Sequence, residues 1–200
     1  VRKQHSNSAA GLLVKKVLIL FAHPALEKSR INQRLIEGLD KKDNVTFRDL
    51  YELYPDFNID VNAEQQAVME HDAVIFHHPF YWYSTPAILK EWQDLVLEHG
   101  WAYGSAGNAL SGKYLMNVMT AGGGKPSYCA EGFNKYTIRD FLRPIERTAA
   151  LCKMEYLPPL VLHGTHSLTE LDIEPYKETY HNLLDELIAD KLEITGIKDE

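Results

Sequence analysis

The chain has 200 residues, enough for one domain with a sizeable core. It is 45 % hydrophobic and 10 % aromatic, which argues against a disordered chain. Its formal charge of −7 argues against a non-specific nucleic-acid binder, which needs a basic face to displace counterions.

Residues 1–14 read as a flexible N-terminal tail, and residues 194–200 as a C-terminal one, around a single domain over 15–193. The apolar run Ala9–Val14 is too short for a secretory segment, and lysines follow it directly. No apolar run approaches the ~18 residues of a membrane span. A cytoplasmic location is expected. The two cysteines, Cys129 and Cys152, have no ligand-like spacing and read as reduced thiols. The nine histidines are scattered, with no H-E-x-x-H pattern, so no metal is expected.

In chain order, Val17–Ala22 is a continuous apolar run, the pattern of a strand buried on both faces. Ser29–Leu39 has Ile31, Leu35, Ile36 and Leu39 at helical spacing. Val45–Leu50 alternates more and suits an edge strand. Tyr54–Asp60 reads as irregular, and Ala63–Glu70 as a short helix. Ala73–Phe76 is a third strand. Pro86–Leu97 is a helix with its proline in the first turn, where the missing N–H costs nothing. Lys113–Thr120 is a fourth strand. A helix with Ile138, Phe141, Leu142, Ile145 and Ala149 on one face follows. Leu160–His163 is a fifth strand, and Pro175–Lys191 a closing helix. Five strands alternating with helices give an α/β fold: a doubly wound, five-stranded parallel sheet of flavodoxin-like order 2-1-3-4-5.

Ligands of such sheets bind beyond the carboxyl ends of the strands. Three loops there carry unusual chemistry. The first, "HPALEKSRINQRL" (His23–Leu35), offers Ser29, Arg30 and Asn32 at a helix N-terminus, a place for a phosphate. It lacks G-x-G-x-x-G and the Walker pattern. The second, "HPFYWYSTPA" (His78–Ala87), has three consecutive aromatics that cannot all point inward. The third, "TAGGGKPSY" (Thr120–Tyr128), lets backbone approach a ligand closely. Each alone has an ordinary explanation: a capping serine, core aromatics, a flexible turn. Together on one rim they suit a flavin nucleotide, with its phosphate in the first loop and its ring between the other two.

"FAHP" with "SRIN", "HPFYWYSTPAILKEWQDLVLEHGWAYG", "TAGG" and "PPLVLHG" make the chain resemble the flavodoxin-like NAD(P)H:quinone oxidoreductases. Within them it is most similar to the bacterial ancillary proteins of glutathione-gated potassium efflux systems, and more distantly to DT-diaphorase. The resemblance implies that FMN, or else FAD, is bound. It places His23, Ser29, Arg30, Ile31 and Asn32 at the phosphate region. Pro79, Phe80, Tyr81, Trp82 and Tyr83 would lie along the ring, and Thr120, Ala121, Gly122 and Gly123 at its pyrimidine side. NADPH or NADH would supply hydride and a quinone would accept it. Trp82, Tyr103 and Tyr128 are the candidate catalytic residues, Tyr103 reaching the partner's flavin across a homodimer. Ser105 and Asn134 stand where diaphorases have a second tyrosine and a histidine. The resemblance also implies a possible role beside a potassium efflux transporter, peripheral at the inner face of the cell membrane. A flavodoxin-type electron carrier is the remaining alternative.

Overall fold

A computed structural model describes residues 14–191; all but Val14 of the expected N-terminal tail and the whole C-terminal one lie outside it. The core of the sheet is three strands, β1 (Val17–Phe21), β3 (Ala73–Pro79) and β4 (Tyr114–Ala121), in which nearly every side chain is buried. Alternate residues serve opposite layers. Leu18, Leu20, Val74 and Phe76 pack with Ile88, Leu89, Trp92, Leu142 and Ile145. Val17, Ile19, Ile75, Met116 and Val118 pack with Tyr180, Leu184 and Leu187 on the other face. Full burial contributes about 1.5–3 kcal/mol for each large apolar side chain.

All pairings are parallel, and the order is β2-β1-β3-β4-β5, with β2 (Val45–Asp49) half-exposed at one side. The expected fifth strand is split. Glu155–Tyr156 (β5) and Leu160–His163 (β6) both pair with β4. Leu115 faces Tyr156 and Val118 faces Leu160, so three residues (157–159) oppose two (116–117). The extra residue is a bulge at Pro158-Pro159, which bring no N–H to the ladder.

The helices are α1 (Arg30–Ile36), α2 (Leu50–Leu53), α3 (Val61–Met69), α4 (Ala87–Val96), α5 (Ile138–Leu151) and α6 (Glu170–Ile188). Helix α1 is shorter than its spacing suggests, because Gly38 turns left-handed (φ 84°). The one-turn α2 is an addition, capped by the Asp49 carboxylate that ends β2. Helix α6 starts five residues earlier than expected. A reciprocal capping box between Thr169 and Asp172 begins it, and Pro175 lies inside.

On the buried face of α3, toward α4, Glu64 is fully buried and ion-paired with Arg48 of β2. It also accepts from the Tyr54 hydroxyl at 2.7 Å and from Trp92 Nε1 at 2.8 Å. Burial, then the carboxylate, push the Tyr54 hydroxyl up to about 12, so it remains a donor. One carboxylate thus fastens β2, the α2 turn and both helices.

Strand β3 runs beyond its expected end at Phe76, because His77 and His78 are buried strand residues. The His78 ring sits between Asn117 Nδ2, which donates to Nε2 at 2.9 Å, and the Pro79 carbonyl, 2.9 Å from Nδ1. His77 lies edge-on to Phe21 and Tyr180, and neither of its nitrogens has a partner among the described residues. Burial pushes His77 down to about 3 and His78 down to about 4. An unfolded histidine takes up its proton near pH 6.5, whereas these do so only well below. The unfolded chain therefore binds more protons under pH 6.5, and stability falls as pH drops from there toward 4. Urea unfolding between pH 8 and 4.5 should show a level free energy that declines below pH 6.5, by about 1.4 kcal/mol per unit per histidine. His77→Phe should flatten the decline. A level curve from pH 6.5 to 5 in the parent protein contradicts this account.

Candidate functional site

The ladder of β3 on β4 runs to Pro79 opposite Thr120, and the Phe80 amide continues it by donating to the Thr120 carbonyl at 2.8 Å. Beyond that point the two chains diverge around a cavity of about 590 Å³. Its polar corner is built by β1 and α1. Ser29 caps α1, accepting from the Asn32 amide at 3.4 Å and from Asn32 Nδ2 at 2.9 Å. Asn32 is buried and also donates to Thr120 Oγ1, while its Oδ1 has no partner among the described residues. A buried carbonyl oxygen costs about 1–3 kcal/mol when unpaired, so this atom awaits a donor.

His23 closes the same corner. Its Nδ1 accepts from the Ala25 amide at 3.2 Å, which leaves the proton of the neutral ring on Nε2. Burial lowers its pKa, with Glu27 opposing, so the ring is neutral at pH 7 and donates from Nε2. Arg30 behaves otherwise. Its guanidinium donates to Glu170 Oε1 at 2.8 Å and to the Leu168 carbonyl. The expected phosphate ligand is thus engaged by the N-terminus of α6. Lys28, absent from the expected set, lines the cavity beside it.

The opposite wall is aromatic and glycine. Tyr81 meets the His23 ring edge-on at 6.1 Å. Tyr81 and Ser84 bracket a tight turn, closed by the Ser84 amide donating to the Tyr81 carbonyl at 2.9 Å. Its central residues, Trp82 (φ 50°) and Tyr83 (φ 62°), are both left-handed, a geometry that favours Asn-Gly. Each such residue costs about 1 kcal/mol or more, and strain of this kind concentrates at functional sites. The Trp82 and Tyr83 amides donate to no group among the described residues. Trp82 stands 93 % exposed at the tip, so the aromatic wall of the cavity is Phe80 with Tyr81 rather than the whole run.

Phe80 packs against Tyr83, Tyr128 and Phe141. Together with Gly122 it belongs to both the cavity and a second recess of about 340 Å³. Trp82, Tyr83, Gly123, Ser127, Tyr128, Phe133 and Asn134 line that recess. Tyr83 donates to Asn134 Oδ1 at 3.3 Å across it. Tyr128 covers Gly123: a Cβ there would lie 3.1 Å from its hydroxyl, so a side chain at 123 would press on the tyrosine ring. Burial raises the Tyr128 pKa, and the Gly123 amide opposes the rise.

Of the expected residues, His23, Ser29, Arg30, Ile31, Asn32, Pro79, Phe80, Tyr81, Thr120 and Gly122 meet at the cavity; Trp82, Tyr83, Gly123 and Tyr128 meet at the recess. Ala121 lines neither, and its carbonyl accepts from the Thr165 amide. Tyr103 also lines neither; half-buried, it packs on its own core beside His99. Thr165 and His166, which the sequence reading left out, come from a fourth loop, after β6. Their only signal was position beyond a fifth strand end.

Among the described residues no helix is long and apolar enough to cross a membrane. The family profile for the flavodoxin-like fold matches residues 15–184. The glutathione-regulated potassium-efflux system ancillary protein KefG of Pectobacterium atrosepticum is 47 % identical over 153 residues, covering 76 % of this chain and 84 % of that protein. The crystal structure of general stress protein 14 from Treponema denticola in complex with FMN matches with a TM-score of 0.82 at 36 % identity, over 86 % of this chain and 99 % of that one. An NADPH-quinone reductase from P. pentosaceus matches with a TM-score of 0.77 at 32 % identity, over 84 % and 97 %. The sheet order, the loops beyond its carboxyl ends and these similarities lead to one statement: the chain belongs to the flavodoxin-like family.

Proposed function

We propose that the protein is an FMN-dependent NAD(P)H:quinone oxidoreductase. The observation that carries this reading is the meeting, in one cavity, of a polar corner with a buried oxygen unpartnered among the described residues, the Phe80 ring and Gly122. The FMN held by the Treponema relative and the name of the P. pentosaceus relative support it. Bound FMN supplies the redox chemistry, taking hydride from NADPH or NADH and delivering it to a quinone.

The chain's own residues position and tune. Ser29, Asn32 and neutral His23 hold the ribityl phosphate end, and Asn32 Oδ1 accepts from a hydroxyl there. The amides of Trp82 and Tyr83 would be free to donate to a bound ring as it gains negative charge on reduction, and a preorganised donor needs no reorganisation at that moment. Phe80 and Gly122 line the cavity that would take the ring. The second recess, lined by Tyr128 and Asn134, would receive the flat donor or acceptor beside a bound flavin.

The purified protein should be yellow or reconstitute with FMN, bleach with NADPH or NADH, and recover its colour with a quinone. Ser29→Ala combined with Asn32→Ala should weaken FMN retention about tenfold, equivalent to about 1.4 kcal/mol, without unfolding the chain. A protein that cannot be loaded with FMN or FAD would end this reading, and full retention in the double variant would move the phosphate elsewhere.

The chain acts as a homodimer in this reading, with the loop of Tyr103 lidding the partner's flavin. Tyr103→Ala should then lower quinone turnover more than FMN affinity. A fully active monomer, or unaltered kinetics in that variant, would refute the placement.

A second reading rests on the KefG relative: an ancillary subunit of a potassium efflux transporter. Co-purification with such a transporter, and potassium efflux that drops on deletion of this protein, are expected. Efflux indifferent to the protein would remove this reading and leave the enzyme untouched.

A further inference from the structure

The loop Gly164–Thr169, between β6 and α6, is held from both sides. The Gly164 amide donates to the Gly123 carbonyl at 3.0 Å, and the Thr165 amide to the Ala121 carbonyl at 3.2 Å. At its far end the Arg30 guanidinium donates to the Leu168 carbonyl, and the Thr169–Asp172 box fixes the turn into α6. His166 lies between these anchors.

Its ring rests on the bare face of Gly122. A Cβ there would sit 2.8 Å from Nε2, closer than carbon side chains approach, so any side chain at 122 would displace the imidazole. Glycine at 122 therefore does more than loosen a turn: it makes room for the imidazole. His166 and Gly122 line the same cavity as Asn32, Thr120 and Phe80. Arg30, the cation the sequence placed here, is occupied by Glu170 and Leu168. Among the described residues nothing hydrogen-bonds the His166 ring.

We propose that His166 is a cofactor-contacting residue, donating a hydrogen bond to the pyrimidine edge of the flavin, where negative charge gathers on reduction. The proposal rests on the flavin reading above and adds a residue and a task to it. A donor aimed at charge that exists only in the reduced ring stabilises that form over the oxidised one. The effect is therefore on midpoint potential more than on affinity for oxidised FMN.

The test uses the FMN-loaded protein with His166→Ala and His166→Gln, and two readouts: the two-electron midpoint potential against a reference dye, and the affinity for oxidised FMN and riboflavin by fluorescence titration. His166→Ala should lower the potential by about 30 mV, a tenfold loss of preference for the reduced ring. His166→Gln, which keeps a donor, should recover most of the loss. Affinity for oxidised FMN should change little in either.

An unchanged potential in His166→Ala overturns the proposal, as does an equal fall in both variants, which marks a packing role. Weakened FMN binding with riboflavin unaffected overturns it too, by assigning the ring to the phosphate. A parent protein that binds neither FMN nor FAD removes the flavin reading first, and this inference with it.

Discussion

The seven-residue parallel ladder between β3 and β4 sets the geometry of everything at the rim. Both strands are buried on both faces, so a register slip would turn His77, His78 and Asn117 out of the environments that hold them. Because the ladder ends with Pro79 against Thr120, Phe80 leaves the sheet at a fixed height above Thr120 and Gly122. The aromatic loop and the glycine loop thus start from adjacent strands at a fixed separation before they diverge around the cavity. Apolar burial on the two faces thus supplies the rigidity on which a left-handed Trp-Tyr turn can be held.

Arg30, which lines the cavity, also ties together two distant parts of the chain. By engaging Glu170 and the Leu168 carbonyl it joins the first loop to the last, residues 138 and 140 apart in sequence. An exposed ion pair alone contributes little stability. Its value here is positional.

Much of this was legible in the amino-acid letters, and the failures have definite causes. The continuous apolar run of β1, repeated in the four apolar residues that open β3, announced a parallel sheet, and the strand order followed from it. The end of β3 was hidden because His77 and His78 look polar, yet the fold buries both. The start of α6 was misplaced at Pro175, although Thr169 and Asp172 spell a capping box. Three loops of the site stood out by composition. The fourth did not, since Thr165 and His166 gain meaning only when β6 sets them beside Gly122. The turn at Trp82-Tyr83 defies local rules, which ask for Asn-Gly, and the direction of Arg30 depends on a helix 140 residues away.

The bulge at Pro158-Pro159 has a consequence for assembly. An open sheet ends in a row of free donors and acceptors that can recruit another chain's strand and seed fibres. Here that outer margin is two short pieces, Glu155–Tyr156 and Leu160–His163, separated where prolines remove two donors in succession. A foreign strand laid along it would find no uninterrupted run of partners longer than four residues. The protein is thereby guarded against growing by strand addition on this side, so the margin beside Pro158-Pro159 meets other molecules through side chains rather than backbone.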